Sequence, residues 1–124
     1  MMMEKRLLIV DDDKTILYAY KRLFQFAGVK VDTAKSLEKA HSYMKKNNYR
    51  AVVTDLRLTP ENRHEGLQIL QSMKNLNRDT KLILITAYGN FEVKKKAEEL
   101  GIDYYFEKPV PIDNLIKILK SLTN

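Results

Sequence analysis

The chain alternates two hydrophobic periods. Leu7, Leu8, Ile9 and Val10 form a continuous apolar run that stops at Asp11, Asp12 and Asp13. Over residues 14–27 the spacing changes: Ile16, Tyr20, Leu23, Phe24 and Ala27 recur as on one buried helix face. Asp13 suits the N-cap of that helix, and Gly28 suits a left-handed stop. Residues 29–33 alternate as a strand near a sheet edge does, and Leu37, Ala40 and Met44 predict a helix over 36–46. Residues 51–54 form a β-branched run ending at Asp55. A polar loop through Thr59, Pro60 and Asn62 leads to a helix over 65–76, with Leu67, Leu70 and Met73 inward. Residues 82–85 are wholly apolar and end at Thr86. A helix over 90–100 follows, with Val93, Ala97 and Leu100 on one face and Gly101 after it. Residues 104–106 read as a strand ending at Glu107 and Lys108. The last helix covers 112–122, with Ile112, Leu115, Leu119 and Leu122 inward and Pro111 suited to its first turn.

Five strand-then-helix units predict an α/β fold whose parallel sheet is covered on both faces. The continuous first, third and fourth strands read as buried on both sides, and the weaker second strand as an edge. The 124 residues suffice for one domain with one core. Apolar content of 44% and charged content of 31% exclude a disordered chain. The absence of cysteine excludes a disulfide scaffold and a thiolate zinc site. No apolar run approaches the roughly 20 residues of a membrane span, and the opening MMMEKR turns acidic too soon for a secretory signal. The expectation is a cytoplasmic protein. The net charge of +6 is scattered, with short clusters at Lys45 and Lys46 and at Lys94, Lys95 and Lys96. Solvated helix faces account for it better than a nucleic-acid surface, which would interleave aromatic residues.

The positions of the polar residues carry the chemistry. Strand ends of a parallel sheet lie along one edge, where ligands of open α/β sheets bind. Asp11, Asp12, Asp55, Thr86 and Lys108 should therefore converge. Two carboxylates about 4 Å apart repel by roughly 4 kcal/mol at an effective dielectric near 20, so something must offset them. A set of oxygens alone suits a hard cation such as Mg2+. A lysine and a hydroxyl beside it would donate to the oxygens of an anion. Together these are the parts of a phosphoryl-transfer site.

Four strings in order, IVDD, VVTDLRL, LILITAYG and YYFEKP, give the chain a resemblance to the receiver domains of two-component response regulators. It spans essentially the whole sequence. Receiver domains are themselves among the instances of the strand-end rule, so the two lines of reasoning are not independent. The resemblance implies a flavodoxin-like, doubly wound (βα)5 fold. Its five parallel strands would run in order 2-1-3-4-5 with five helices around them, and residues 1–124 would form a single receiver domain with no output domain. It implies that Asp55 accepts a phosphoryl group from the phosphohistidine of a sensor histidine kinase or phosphotransfer protein. Asp12 and Asp55 match direct Mg2+ ligands, Asp11 a ligand through water, and the main-chain carbonyl of Arg57 the third protein ligand; Mn2+ is the alternative ion. Lys108 matches the lysine that pairs with the phosphoryl group, Thr86 the switch hydroxyl, and Tyr105 the aromatic ring that turns inward. The Lys108–Pro109 bond would be cis. Such a chain is not a turnover enzyme on an external substrate; it assists its own phosphorylation and dephosphorylation. Its surface over residues 90–122 would meet a downstream effector, an output domain or, in a phosphorylation-linked homodimer, a second copy. No membrane or direct nucleic-acid partner is expected.

Some features depart from the family pattern or admit other readings. Pro60 stands five residues after Asp55 and Gly66 eleven after, where the family has proline four and glycine eight after. The loop over 56–65 thus carries about three added residues, which tune kinase recognition, shield the acyl phosphate or form a neutral insertion. Arg57 and Tyr88 occupy positions that influence hydrolysis of the phosphoryl group, and their bulk implies slow self-dephosphorylation. His41 and His64 read as surface histidines, and Tyr18, Tyr43 and Tyr49 as half-buried aromatics. Tyr104 and Tyr105 should face opposite sides, with the offset from Lys108 favouring Tyr105 as the switch. Asp11, Asp13 and Thr15 also spell the D-x-D-x-T of haloacid dehalogenase-type phosphohydrolases, with Asp11 as nucleophile and Asp13 as acid/base. A receiver-like interaction module that never takes phosphate is the third alternative.

Overall fold

In the computed structural model, residues 6–26, 28–58, 64–87 and 89–123 are described. Ten elements alternate: β1 (Arg6–Val10), α1 (Lys14–Phe26), β2 (Lys30–Ala34), α2 (Leu37–Lys46), β3 (Ala51–Asp55), α3 (Glu65–Leu76), β4 (Lys81–Thr86), α4 (Phe91–Leu100), β5 (Tyr104–Glu107) and α5 (Ile112–Thr123). All four strand pairings are parallel, and the sheet order is β2-β1-β3-β4-β5. The expected order and the edge position of the second strand both hold. Residues 59–63, which carry Thr59, Pro60 and Asn62, lie outside the described residues, as do Ala27 and Tyr88.

Helix starts follow the side chains that satisfy free backbone N–H groups. Asp13 Oδ1 accepts from Thr15 N at 2.8 Å. Ser36 Oγ accepts from Lys39 N, and Asn90 Oδ1 from Val93 N. Two glycines end helical segments at positive φ, Gly28 at 80° and Gly101 at 82°, a region that costs residues with a Cβ.

Strand alternation divides the core into two layers. Leu8, Val10, Val52, Leu82 and Leu84 point to the layer closed by Ala40 and Met44 of α2, Ile69, Leu70 and Met73 of α3, and Val93 and Ala97 of α4. Leu7, Ile9, Ala51, Val53, Ile83 and Ile85 point to the opposite layer, closed by Leu17 and Phe24 of α1 and Leu115 of α5. The inner face of α1 is corrected in one respect: the fully buried positions are Leu17 and Phe24, whereas Ile16 is half-buried. Of the expected α5 face, Leu115 is buried; the side chains of Ile112, Leu119 and Leu122 lie outside the description.

The tyrosines need correction too. Tyr18 is 64% exposed and Tyr49 only 4%. Tyr49 belongs to a polar cluster at the amino-terminal edge of the sheet. Its hydroxyl donates to Asp32 Oδ2 at 2.7 Å, and Arg6 Nη1 donates to the same oxygen at 3.0 Å and to Asn47 Oδ1 at 3.1 Å. Thr80 Oγ1 donates to the Tyr49 carbonyl at 2.7 Å. Burial and the adjacent Asp32 carboxylate hold the Tyr49 phenol well above its usual 10.0. The folded state thus binds this proton more tightly than the unfolded state. The resulting stability is complete below pH 10 and is lost as pH rises beyond it. Tyr49→Phe is therefore expected to cost about 1 kcal/mol at pH 7. The gap to wild type should narrow above pH 10, as read by urea unfolding at several pH values.

Candidate functional site

Backbone register assembles the site. Val10 pairs with Thr54, so Asp11 follows beside Asp55. Asp55 pairs with Ile85, which places Thr86 one step further along the neighbouring strand, and Thr86 pairs with Glu107, one residue before Lys108. Two backbone bonds tie the strand ends: Asp11 N donates to Ala34 O at 3.1 Å, and Lys108 N to Thr86 O at 2.9 Å. The Lys108–Pro109 peptide is cis.

The side chains meet accordingly. Lys108 Nζ lies 3.0 Å from Asp55 Oδ2 and 3.1 Å from Asp11 Oδ2. Carboxylate oxygens of Asp11, Asp12 and Asp55 all lie within 4.8 Å of one another. Asp11 and Asp55 are buried, Asp12 is exposed, and Thr86 is fully buried. The cluster is thus closed on the protein side and open through Asp12. Asp11 also accepts from Asp13 N at 2.9 Å, and Asp55 Oδ1 from Arg57 N at 3.4 Å.

The electrostatics follow from this crowding. Burial raises the Asp11 carboxyl above its usual value against the lowering effects of the Asp13 amide and Lys108, and the charge of Asp55 adds to the rise. Burial works against the Lys108 ammonium, yet its bonds and charge pairing with Asp55 and Asp11 raise it overall. One ammonium between buried carboxylates leaves negative charge in excess once Asp12 is counted. Three oxygen donors converging on one opening fit a hard divalent cation, so the residues present suit the ion that the sequence implied.

Other expected residues fall elsewhere. Asp13 is engaged as the α1 cap, as expected, its Oδ1 accepting from Thr15 N and Ile16 N. His41 is not simply solvated: its Nε2 lies 3.2 Å from Ser72 Oγ, between α2 and α3. His64 is half-buried at the N-cap of α3 without a side-chain cap bond. Tyr104 and Tyr105 face opposite layers, as alternation required. The Tyr105 hydroxyl is buried. Sequence reasoning passed over Gly89, which lies against that hydroxyl. A groove of about 540 Å3 between α1 and α2, lined by Lys14, Lys21, Lys35 and Lys39, contains none of the site carboxylates.

A doubly wound sheet with an acidic crevice and Lys108 at its strand ends defines an open α/β domain whose site lies at the carboxyl edge of the sheet. Comparison with known proteins narrows it. Residues 7–120 match the response regulator receiver domain. The acid tolerance regulatory protein ActR of Rhizobium meliloti is 32% identical over 116 residues, 94% of this chain and 58% of that protein. The chain therefore spans little more than half the length of that relative. Sporulation initiation phosphotransferase F of Bacillus subtilis is 29% identical over 96% of this chain and 94% of its own. A CheY-like response regulator receiver domain protein from Methanospirillum hungatei superposes with a TM-score of 0.86 at 29% identity, covering 97% of this chain and 94% of the other. TrrA from Thermotoga maritima, solved in complex with Mg2+–BeF, gives 0.79 at 29% identity over 95% of this chain and 98% of its own. The chain belongs to the response regulator receiver domain family.

Proposed function

We propose that the chain is a phosphorylation-dependent signalling switch that takes a phosphoryl group onto Asp55. The observation that carries this reading is the Lys108 ammonium held 3.0 Å from Asp55 and 3.1 Å from Asp11, beside the exposed Asp12. An Asp55 oxygen attacks the phosphorus of a phosphohistidine on a sensor histidine kinase or phosphotransfer protein. The new O–P bond forms as the P–N bond breaks, and the imidazole leaves with the electron pair and takes up a proton. Lys108 turns from the Asp55 carboxylate to the phosphoryl oxygens, and the Thr86 hydroxyl donates to another. Mg2+, or Mn2+, held by Asp11, Asp12, Asp55 and the Arg57 carbonyl, would neutralise charge on the phosphoryl group. Arg57 follows Asp55 by two residues, and its bulk favours a long-lived acyl phosphate.

The phosphoryl group carries about −1.5 to −2 charge in place of the single carboxylate charge, and its three acceptor oxygens draw Thr86 and Lys108 together. Both sit at the joints leading into α4 and α5, so the face formed by α4, β5 and α5 shifts with them. Phe91, 84% exposed at the start of α4, gives that face an apolar anchor for an effector, an output domain or a second copy. Among the described residues no helix is long and apolar enough to cross a membrane. Wild-type protein should acquire acid-stable mass from acetyl phosphate in Mg2+ and lose this labelling in EDTA. Equal labelling with and without the chelator would remove the divalent ion from the reading.

A further inference from the structure

Gly89 lies between β4 and α4, three residues after Thr86 and one before the α4 cap, Asn90. Glycine is often needed where φ is positive, but the positive-φ glycines among the described residues are Gly28 and Gly101. Backbone freedom therefore does not account for Gly89. Space does. A Cβ built on Gly89 would lie 2.0 Å from the Tyr105 hydroxyl oxygen, 3.2 Å from Tyr105 Cζ and 3.1 Å from Glu107 Oε1. Glu107 is exposed and can swing aside. The Tyr105 ring packs against the core layer beneath α2, α3 and α4, so it can yield only by leaving that seat.

The phenol pays for this seat. Its hydroxyl is buried against Gly89 with the exposed Glu107 carboxylate beside it. Burial, then the Glu107 charge and a side-chain bond to it, pushes the phenol up from its usual value. The inward ring thus gains packing and loses hydroxyl solvation.

We propose that Gly89 is the positioning residue for the Tyr105 switch: its missing side chain is the slot that admits the phenol hydroxyl, and filling the slot drives the ring outward. This rests on the reading of Asp55 as phospho-acceptor and Tyr105 as the moving ring. It adds a coupling route. Thr86 and Gly89 share one short connection, so movement of Thr86 toward a phosphoryl group reshapes the slot and shifts the balance between inward and outward rings.

The test compares wild type, Gly89→Ala, Tyr105→Phe and the double variant. Tetranitromethane nitration of Tyr105, read by peptide mass spectrometry, should run about tenfold faster in Gly89→Ala, as expected when a mostly inward population becomes outward. Gly89→Ala should also lower Tm by a few degrees in the Tyr105 background. In the Tyr105→Phe background that drop should largely vanish, because the atom 2.0 Å from the new methyl is gone. Unchanged nitration, or an equal drop in both backgrounds, overturns the proposal. Acetyl phosphate labelling of all four proteins tests the underlying reading separately: label on Asp55 throughout supports it. Absence of label in wild type overturns the switch while nitration still decides the slot.

Discussion

Replacing Asp55 with asparagine is expected to cut acetyl phosphate labelling by about three orders of magnitude, to background. The amide has the same shape but no anionic oxygen to attack phosphorus. The fold should survive the change. Asp55 is one of two buried carboxylates sharing Lys108, and Asp11 keeps its own contact at 3.1 Å. Removing one negative charge also relieves repulsion within the cluster, so thermal stability without a divalent ion should equal or exceed that of wild type. Loss of label therefore cannot be ascribed to unfolding if Tm is measured on the same sample. Asp11→Asn is the companion variant. Label that persists in Asp55→Asn and disappears in Asp11→Asn would move the nucleophile to Asp11 and revive the phosphohydrolase reading. The use of Asp13 as a helix cap, and Glu107 and Lys108 at the end of β5 where that family has a further acidic pair, both argue against that outcome. Label that survives both variants would exclude either aspartate as acceptor, and a wild type that never labels would leave a phosphate-independent interaction module.

The site was legible to the extent that it depends on strand ends. Apolar runs that stop at Asp11, Asp55 and Lys108 mark where each strand leaves the sheet, and parallel topology then brings those ends together. Boundaries were less legible. The second strand was expected over 29–33 and runs over Lys30–Ala34, because its alternation is weak and its start is fixed by pairing Arg6 with Lys30. Lys81 and Thr86 extend the fourth strand because its neighbours hydrogen-bond them, not because of their own character. Tyrosine burial was not legible, since a phenol tolerates either environment. The difference between exposed Tyr18 and buried Tyr49 lies in Asp32, Arg6 and Asn47, which reach Tyr49 from elsewhere in the chain. Glycine roles were least legible. In a loop, Gly89 reads as flexibility, and only the tertiary approach of Tyr105 gives it a steric reason.

The largest expected loss of stability belongs to another glycine. Gly66 stands eleven residues after Asp55, a spacing that does not disclose its role. It occupies the first turn of α3, where its N–H donates to Leu56 O at 2.8 Å. A Cβ there would lie 2.2 Å from the Asp55 carbonyl oxygen, 2.7 Å from Leu56 Cα and 2.9 Å from the Asp55 carbonyl carbon. All three are backbone atoms, so no rotamer change relieves the overlap. Helix propensity alone would favour alanine by about 1 kcal/mol, and the two effects oppose each other. The clash should dominate, because relieving it means parting α3 from the end of β3 and breaking the Gly66–Leu56 bond. Gly66→Ala is expected to cost about 4 kcal/mol, above the usual range for overpacking, and to lower Tm by about 10–20 °C. Gly66→Ser should do at least as much harm, since the cost resides in the Cβ. The overlapped carbonyl belongs to Asp55 itself, so the damage also reaches function. The fraction that remains folded should label more slowly, because the acceptor is displaced relative to Lys108. A Gly66→Ala protein that melts within about 2 °C of wild type, less than about 1 kcal/mol for a chain this size, would show that α3 can shift without cost. The joint holding Asp55 would then be looser than its contacts indicate.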